Sequence, residues 1–271
     1  MRLTALDTVE LCVYKAINVG RSPTLRCLFW PLLAAALVTS LGCPDRKRGP
    51  EAGAPDASVA APPPPKTGPG SITGEVLFNG QVPPNDPLPK AAGEQCPKGP
   101  AVDEKVLVAS GRLRNVVVRI SGNPPPDGSA PGPAALELKS CVFRPRAQGA
   151  VAGQVLKISN GDTIPHKVNA AAGSQSLFKE ALAPGSPALE KKLDKGVVKV
   201  TCEAHPWEVG YVVVSDNRYF TTTGDTGTFE IKDVPPGSYV LEAWHERFGT
   251  RTSAIVIKPG EPTNVLFTFS P

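Results

Sequence analysis

Val197-Val198-Lys199-Val200-Thr201-Cys202-Glu203-Ala204-His205-Pro206-Trp207-Glu208-Val209-Gly210-Tyr211-Val212-Val213-Val214 is the stretch on which the fold turns. Two apolar runs of strand length, Val197 to Cys202 and Gly210 to Val214, flank a short segment that carries a thiol, an imidazole and a carboxylate. β-branched residues suit a pleated, half-buried surface, so the pattern predicts strand, loop, strand. The same signature recurs at Ile72 to Phe78, Leu113 to Ile120 and Val155 to Ile158. It returns at Thr228 to Ile231, Ser238 to Trp244, Thr252 to Ile257 and Asn264 to Phe269. Turn signals bound these later runs, among them Asp225-Thr226-Gly227, Pro235-Pro236-Gly237 and Pro259-Gly260. The 31 prolines and 26 glycines among 271 residues also disfavour a helical bundle. An all-β chain built as an antiparallel sandwich is expected. The segment from Asn123 to Ala135 reads as a surface loop, and Leu177 to Leu193 as a helical turn at most, broken at Pro184 and Pro187.

Outside this folded part the composition changes. Arg21 and Arg26 precede an apolar run from Cys27 to Leu41 that ends at Leu41-Gly42-Cys43, the pattern of an export signal. Small residues followed by Cys resemble the lipobox of bacterial lipoproteins, with Ser40 where that pattern usually has Leu, and imply lipidation of Cys43. Residues 1–43 are thus expected to be a lipoprotein-type signal. Residues 44–70, rich in Pro, Ala and Gly and including Pro62-Pro63-Pro64-Pro65, are expected to be a linker that buries too little apolar surface to fold. The implied location is the periplasmic side of the cell envelope, with a lipid anchor as the membrane contact. The net charge of +4 falls to +2 once Arg2, Lys15, Arg21 and Arg26 are set against Asp7 and Glu10 and that segment is left out. Such a balance argues against nucleic acid as a partner.

If Cys43 carries lipid, Cys96, Cys141 and Cys202 remain in the folded part. In an oxidising compartment two of three should pair, and a Cys96–Cys141 disulfide is expected because Cys202 sits where a thiolate has other work. The chain has three histidines, and two fall in segments of ligand character: His166 after the strand and turn Val155 to Asp162, and His205 three residues past Cys202. Two imidazoles and one thiolate suit copper. Zinc is the rival, since a set completed by Glu208 would also hold that ion, and a metal-free sandwich acting as an envelope binding or structural module is the bland alternative. Acidic residues are dispersed, and neither a serine nucleophile elbow nor a nucleotide-binding glycine loop occurs, so an enzyme is not expected.

Phe143-Arg144-Pro145, Gly153 to Asp162, the His166 segment and Cys202-x-x-His205-Pro206-Trp207 resemble the cupredoxins, in particular the bacterial periplasmic proteins described as methylamine-utilisation-like. The resemblance implies a Greek-key β-sandwich. It implies copper on His166, Cys202 and His205, shielded by Trp207 and the strand Gly210 to Val214, and electron transfer to a redox partner the sequence does not name. Two positions depart from the pattern. The expected axial Met is Glu208, and Met1 is the sole methionine; the Asn expected after the first His is Lys167. A carboxylate is a harder donor than a thioether and should favour Cu(II). From about Tyr219 on, Phe220 to Ile231 and Val234-Pro235-Pro236-Gly237-Ser238-Tyr239 resemble the carboxypeptidase regulatory-like domain, which implies a small transthyretin-like β-sandwich without activity of its own. In that region Asp225 to Gly227 is expected to form a hairpin turn feeding Phe229 to the core, and His245 to pack at a strand end. The expected division is residues 71–215 cupredoxin-like and 216–271 regulatory-like, the latter with 71–83 as a candidate completing strand.

Overall fold

The strands predicted around Cys202 lie inside the five-stranded sheet of a four-plus-five-stranded sandwich. The computed structural model describes residues 65–88, 102–122, 124–125 and 132–271, and among these there is no helix. The signal, most of the linker, Cys43 and Cys96 lie outside the described residues. One sheet runs in the order β10 (Gln175–Leu182), β9 (His166–Ala172), β12 (Gly196–Cys202), β13 (Val209–Ser215), β7 (Ala147–Val151). The facing sheet runs β11 (Leu189–Lys192), β8 (Val155–Asn160), β5 (Ala134–Lys139), β6 (Val142–Arg144). Period-two alternation supplies the core between them: Leu136 and Leu138 from β5, Leu156 and Ile158 from β8, Val168 from β9, Val198 and Val200 from β12, Val212 and Val214 from β13.

A second sandwich is assembled from both ends of the described chain. Its first sheet centres on β1 (Gly70–Phe78), flanked by β15 (Thr228–Val234), the parallel β18 (Pro262–Phe269), and the short β3 (Arg112–Leu113) and β2 (Val108–Ala109). The other sheet is β14 (Phe220–Thr222), β4 (Val117–Ser121), β16 (Gly237–His245), β17 (Gly249–Ile257). Ile72, Val76, Leu113, Val118, Ile120, Phe229, Leu241 and Phe269 share its core.

Several expectations need correction. The pairs β1–β18, β5–β8 and β7–β13 are parallel, because connections that cross between the layers of a sandwich return strands in the same direction. Leu177 to Leu193 takes in most of β10 and all of β11, which end their sheets; an edge strand buries one side weakly, and its apolar alternation is faint. Ala134 and Ala135 belong to β5 and not to a loop. Leu113 to Ile120 is two strands, interrupted at Asn115, whose φ of 58° is left-handed. Asp225 to Gly227 joins β14 to β15, which lie in opposite sheets, so the turn is a crossover and not a hairpin; Phe229 does enter the core.

The boundary at 215/216 also moves. Residues 84–121, expected with the first domain, supply β2 to β4 of the second sandwich beside β1, the candidate completing strand within 71–83, so the site-bearing sandwich of residues 134–215 is an insertion between β4 and β14. Pairing across so long a separation leaves no local mark in sequence. All of this lies in one compact unit, Ala61–Pro271. The outer faces of β7 and β13 meet β4 and β16 through Val117, Ala147, Val213, Tyr211 and Trp244. Buried Arg146 pairs with Glu246 and, at 3.2 Å, with Asp103 beside that contact.

Candidate metal centre

Strand geometry brings together the four residues singled out from sequence. In β9, His166, Val168 and Ala170 face the core while Lys167 faces out, and Val168 lies opposite Cys202 of β12. His166 is therefore on the same face as Cys202, one pleat further along. Beyond Cys202 the chain reverses: Thr201 pairs with Val209, the Cys202 N–H donates to the Glu208 carbonyl at 3.2 Å, and the Glu208 N–H donates to the His205 carbonyl at 2.9 Å. This closed loop turns Cys202, His205 and Glu208 toward His166. Glu203 N–H donates to the Lys167 carbonyl at 2.9 Å, so a main-chain bond ties together the two segments that carry the candidate donors. The Lys167 side chain itself is exposed.

One donor atom from each of His166, Cys202, His205 and Glu208 lies within 4.8 Å of the others, and all four residues are buried. Cys202 Sγ is 3.9 Å from His166 Nδ1 and 3.6 Å from His205 Nδ1. Around one ion with metal–nitrogen bonds near 2.0–2.1 Å and a metal–sulfur bond near 2.3 Å, trigonal to tetrahedral angles give nitrogen–sulfur edges of about 3.6–3.8 Å. The donors thus fit a small metal ion. Glu208 Oε2 is 2.9 Å from His166 Nδ1, and Oε1 is 2.9 Å from His205 Nδ1. The second contact is at ion-pair distance without the alignment of a hydrogen bond, so that buried oxygen has no hydrogen-bond partner.

A carboxylate with no solvent exposure demands a positive neighbour. Burial alone would depress His166, but hydrogen bonds to Cys202 and Glu208 and the charge of Glu208 outweigh it and raise its pKa from 6.5 to about 10. The Glu208 carboxylate thus favours positive charge at His166. Cys202 is free, whereas Cys141 is disulfide-bonded and buried. Cys141, Asp162 and His166 also cluster, but the disulfide removes Cys141 as a thiolate donor. The Trp207 ring lies 5.1 Å from the His205 ring and, with Cys141, Leu88 and Ile164, forms an apolar cover. His245 lies apart from the four donors, stacked 4.9 Å from Phe248 in the second sandwich, with Nδ1 accepting from the Arg247 N–H. Asp162, beside His166, was read from sequence only as part of a turn.

Residues 195–270 match the family model of the carboxypeptidase regulatory-like domain. The match takes in β12 and β13, whose Val198, Val200, Val212 and Val214 are nonetheless packed in the core of the site-bearing sandwich. A purple cupredoxin from Nitrosopumilus maritimus is 25% identical over 30% of this chain and 99% of its own, with a TM-score of 0.27. A mutant amicyanin in the Cu(I) state is 19% identical over 36% of this chain and 98% of its own, with a TM-score of 0.28. No curated protein sequence matches the chain.

Proposed function

We propose that this chain is an exported, lipid-anchored copper protein of the cupredoxin type, close to the methylamine-utilisation-like group, serving electron transfer or copper handling. His166 Nδ1, Cys202 Sγ and His205 Nδ1 would hold the ion, with the Glu208 carboxylate as fourth donor. The observation that carries this reading is the convergence of these four buried donors on one point. Copper bound there would supply a one-electron couple. The protein's part is to keep the donors in place: three come from a closed loop between paired strands, the fourth from an adjacent strand, and Trp207 with its neighbours excludes water. Such a frame changes little between oxidation states, as electron transfer requires. Zinc is the second reading, favoured by Glu208, whose oxygen completes a His₂CysGlu set.

Metal analysis of the full chain recovered from cells supplied with both copper and zinc separates these readings. One copper per chain is expected. One zinc would favour a structural site, and no metal would leave a binding module of the envelope. Export and anchoring rest on the Cys27 to Cys43 segment. Mass spectrometry of the membrane fraction should find lipid on Cys43, and an unmodified Cys43 would remove the anchor.

A further inference from the structure

We propose that a single turn, Ser140–Cys141, positions both histidines of the site, acting on His166 through Asp162 and on His205 through Trp207. The inference rests on the metal-site reading above.

Ser140 and Cys141 join β5 to β6 with successive left-handed φ values of 53° and 56°. Their N–H groups both donate to one carboxylate: Ser140 to Asp162 Oδ1 at 2.6 Å and Cys141 to Asp162 Oδ2 at 2.9 Å. Asp162 is itself held, since its N–H donates to Asn160 Oδ1 at 2.9 Å, while Asn160 Nδ2 donates to the carbonyls of Ile164 at 2.8 Å and Leu182 at 3.0 Å. The same Oδ2 stands 3.3 Å from His166 Nε2, a buried ring nitrogen with no hydrogen-bond partner. A histidine that gives Nδ1 to a metal must carry its proton on Nε2, and a carboxylate receiving that proton fixes the tautomer and the ring plane. Asp162 is the acceptor in place for it.

The carbonyl side of the same residue serves the other histidine. Trp207 Nε1–H donates to the Cys141 carbonyl at 3.2 Å, and the Trp207 ring packs against His205 with centroids 5.1 Å apart. The N–H and the C=O of Cys141 are therefore engaged by the side chains that touch the two imidazoles. The disulfide at Cys141 and its burial hold the turn still. Asp162 and Trp207 are positioning residues: neither is a donor in the four-residue cluster, and both act through one that is.

The test uses the full chain with Asp162→Asn, which keeps shape and loses charge, and Trp207→Phe, which keeps an aromatic ring and loses the N–H. Cu(II) affinity by competition and the copper spectrum are recorded for each variant and for both combined. Asp162→Asn should weaken Cu(II) binding by about 10- to 100-fold, the usual cost of losing such an outer partner, and alter the spectrum. Trp207→Phe should do the same to a smaller degree. Because both act through one turn, the double variant should lose at least about threefold less than the product of the single losses. Wild-type affinity and spectrum in both single variants would overturn the proposal, and so would strictly multiplicative losses. Should Asp162→Asn not fold, Trp207→Phe alone decides, with unchanged affinity and spectrum as the adverse result. A wild type that takes up no copper would defeat the functional reading and leave the brace to a separate readout. In the metal-free protein the His166 Nε2–H should then show slow exchange by NMR that Asp162→Asn abolishes, and fast exchange in the wild type would overturn the brace.

Discussion

His166 Nδ1 and Glu208 Oε2 lie 2.9 Å apart with neither side chain exposed to solvent. In the proposed copper site the pair would place a hard anionic donor where the cupredoxin pattern has a thioether, so that the preference between oxidation states would rest on one side chain. Glu208→Met should therefore raise the reduction potential of the copper-loaded protein and strengthen Cu(I) relative to Cu(II). Cyclic voltammetry on wild type and variant checks the direction, and an unchanged or lower potential would remove Glu208 from the donor set.

The second sandwich contains a group that titrates against the fold. Burial first, then the charges of Arg146 and Arg247, lower the pKa of His245 from 6.5 to about 4. A histidine with a depressed folded-state pKa stays neutral when folded and takes up its proton more readily when unfolded. Its stabilising contribution is complete above about pH 6.5, erodes as the pH falls toward 4, and is gone below. The shift corresponds to about 3 kcal/mol. His245→Asn retains an acceptor for the Arg247 N–H, so the stability gap between wild type and variant should shrink by roughly that amount between pH 7 and pH 4. Urea denaturation at several pH values measures it, and a gap independent of pH would assign the acid response elsewhere.

Gly149 of β7 packs closely against Phe220 of β14 in the other sandwich. A Cβ there would stand 2.2 Å from Cδ2 of Phe220 in β14. Gly149→Ala should cost about 1–3 kcal/mol by overpacking. Combining it with Phe220→Leu should recover part of the loss, as denaturation midpoints would show; a neutral Gly149→Ala would mean that the interface yields freely.

Arg146 is the charged counterpart of that packing. Its guanidinium is buried between Glu246 and Asp103, one in each of two segments of the second sandwich. Arg146→Met leaves those carboxylates without their buried partner and should cost about 3–5 kcal/mol. Arg146→Met with Glu246→Leu should cost less than Arg146→Met alone, and equal losses in the two would show that the carboxylate tolerates isolation.

Much of this architecture was legible from residue order. Alternation marked β1, β8, β12 and the strands from β15 to β18, which each bury one face more than the other, whereas β13, buried on both faces, showed as a continuous apolar run. Cys202, His205 and Glu208 declared themselves by spacing on one loop, and His166 by its place after a strand and turn. The edge strands β10 and β11 were hidden by weak burial, although Leu136-Glu137-Leu138-Lys139 of β5 carried a readable alternation beside its Pro-rich neighbour. The insertion of one sandwich into the other depends on β1 pairing with β15 and β18 across most of the chain. The position of Asp162 depends on a turn more than twenty residues earlier in sequence. Contacts of that kind are set by topology and leave no periodic trace.

Whether Cys202 gives a thiolate to copper is decided by the visible spectrum of the full chain with added Cu(II), recorded beside Cys202→Ala. An intense thiolate-to-copper band in the wild type, absent from the variant, is the expected result, and its position distinguishes blue from red geometry. No band in the wild type, together with no bound copper on metal analysis, would contradict the copper site and leave the cupredoxin resemblance as architecture alone.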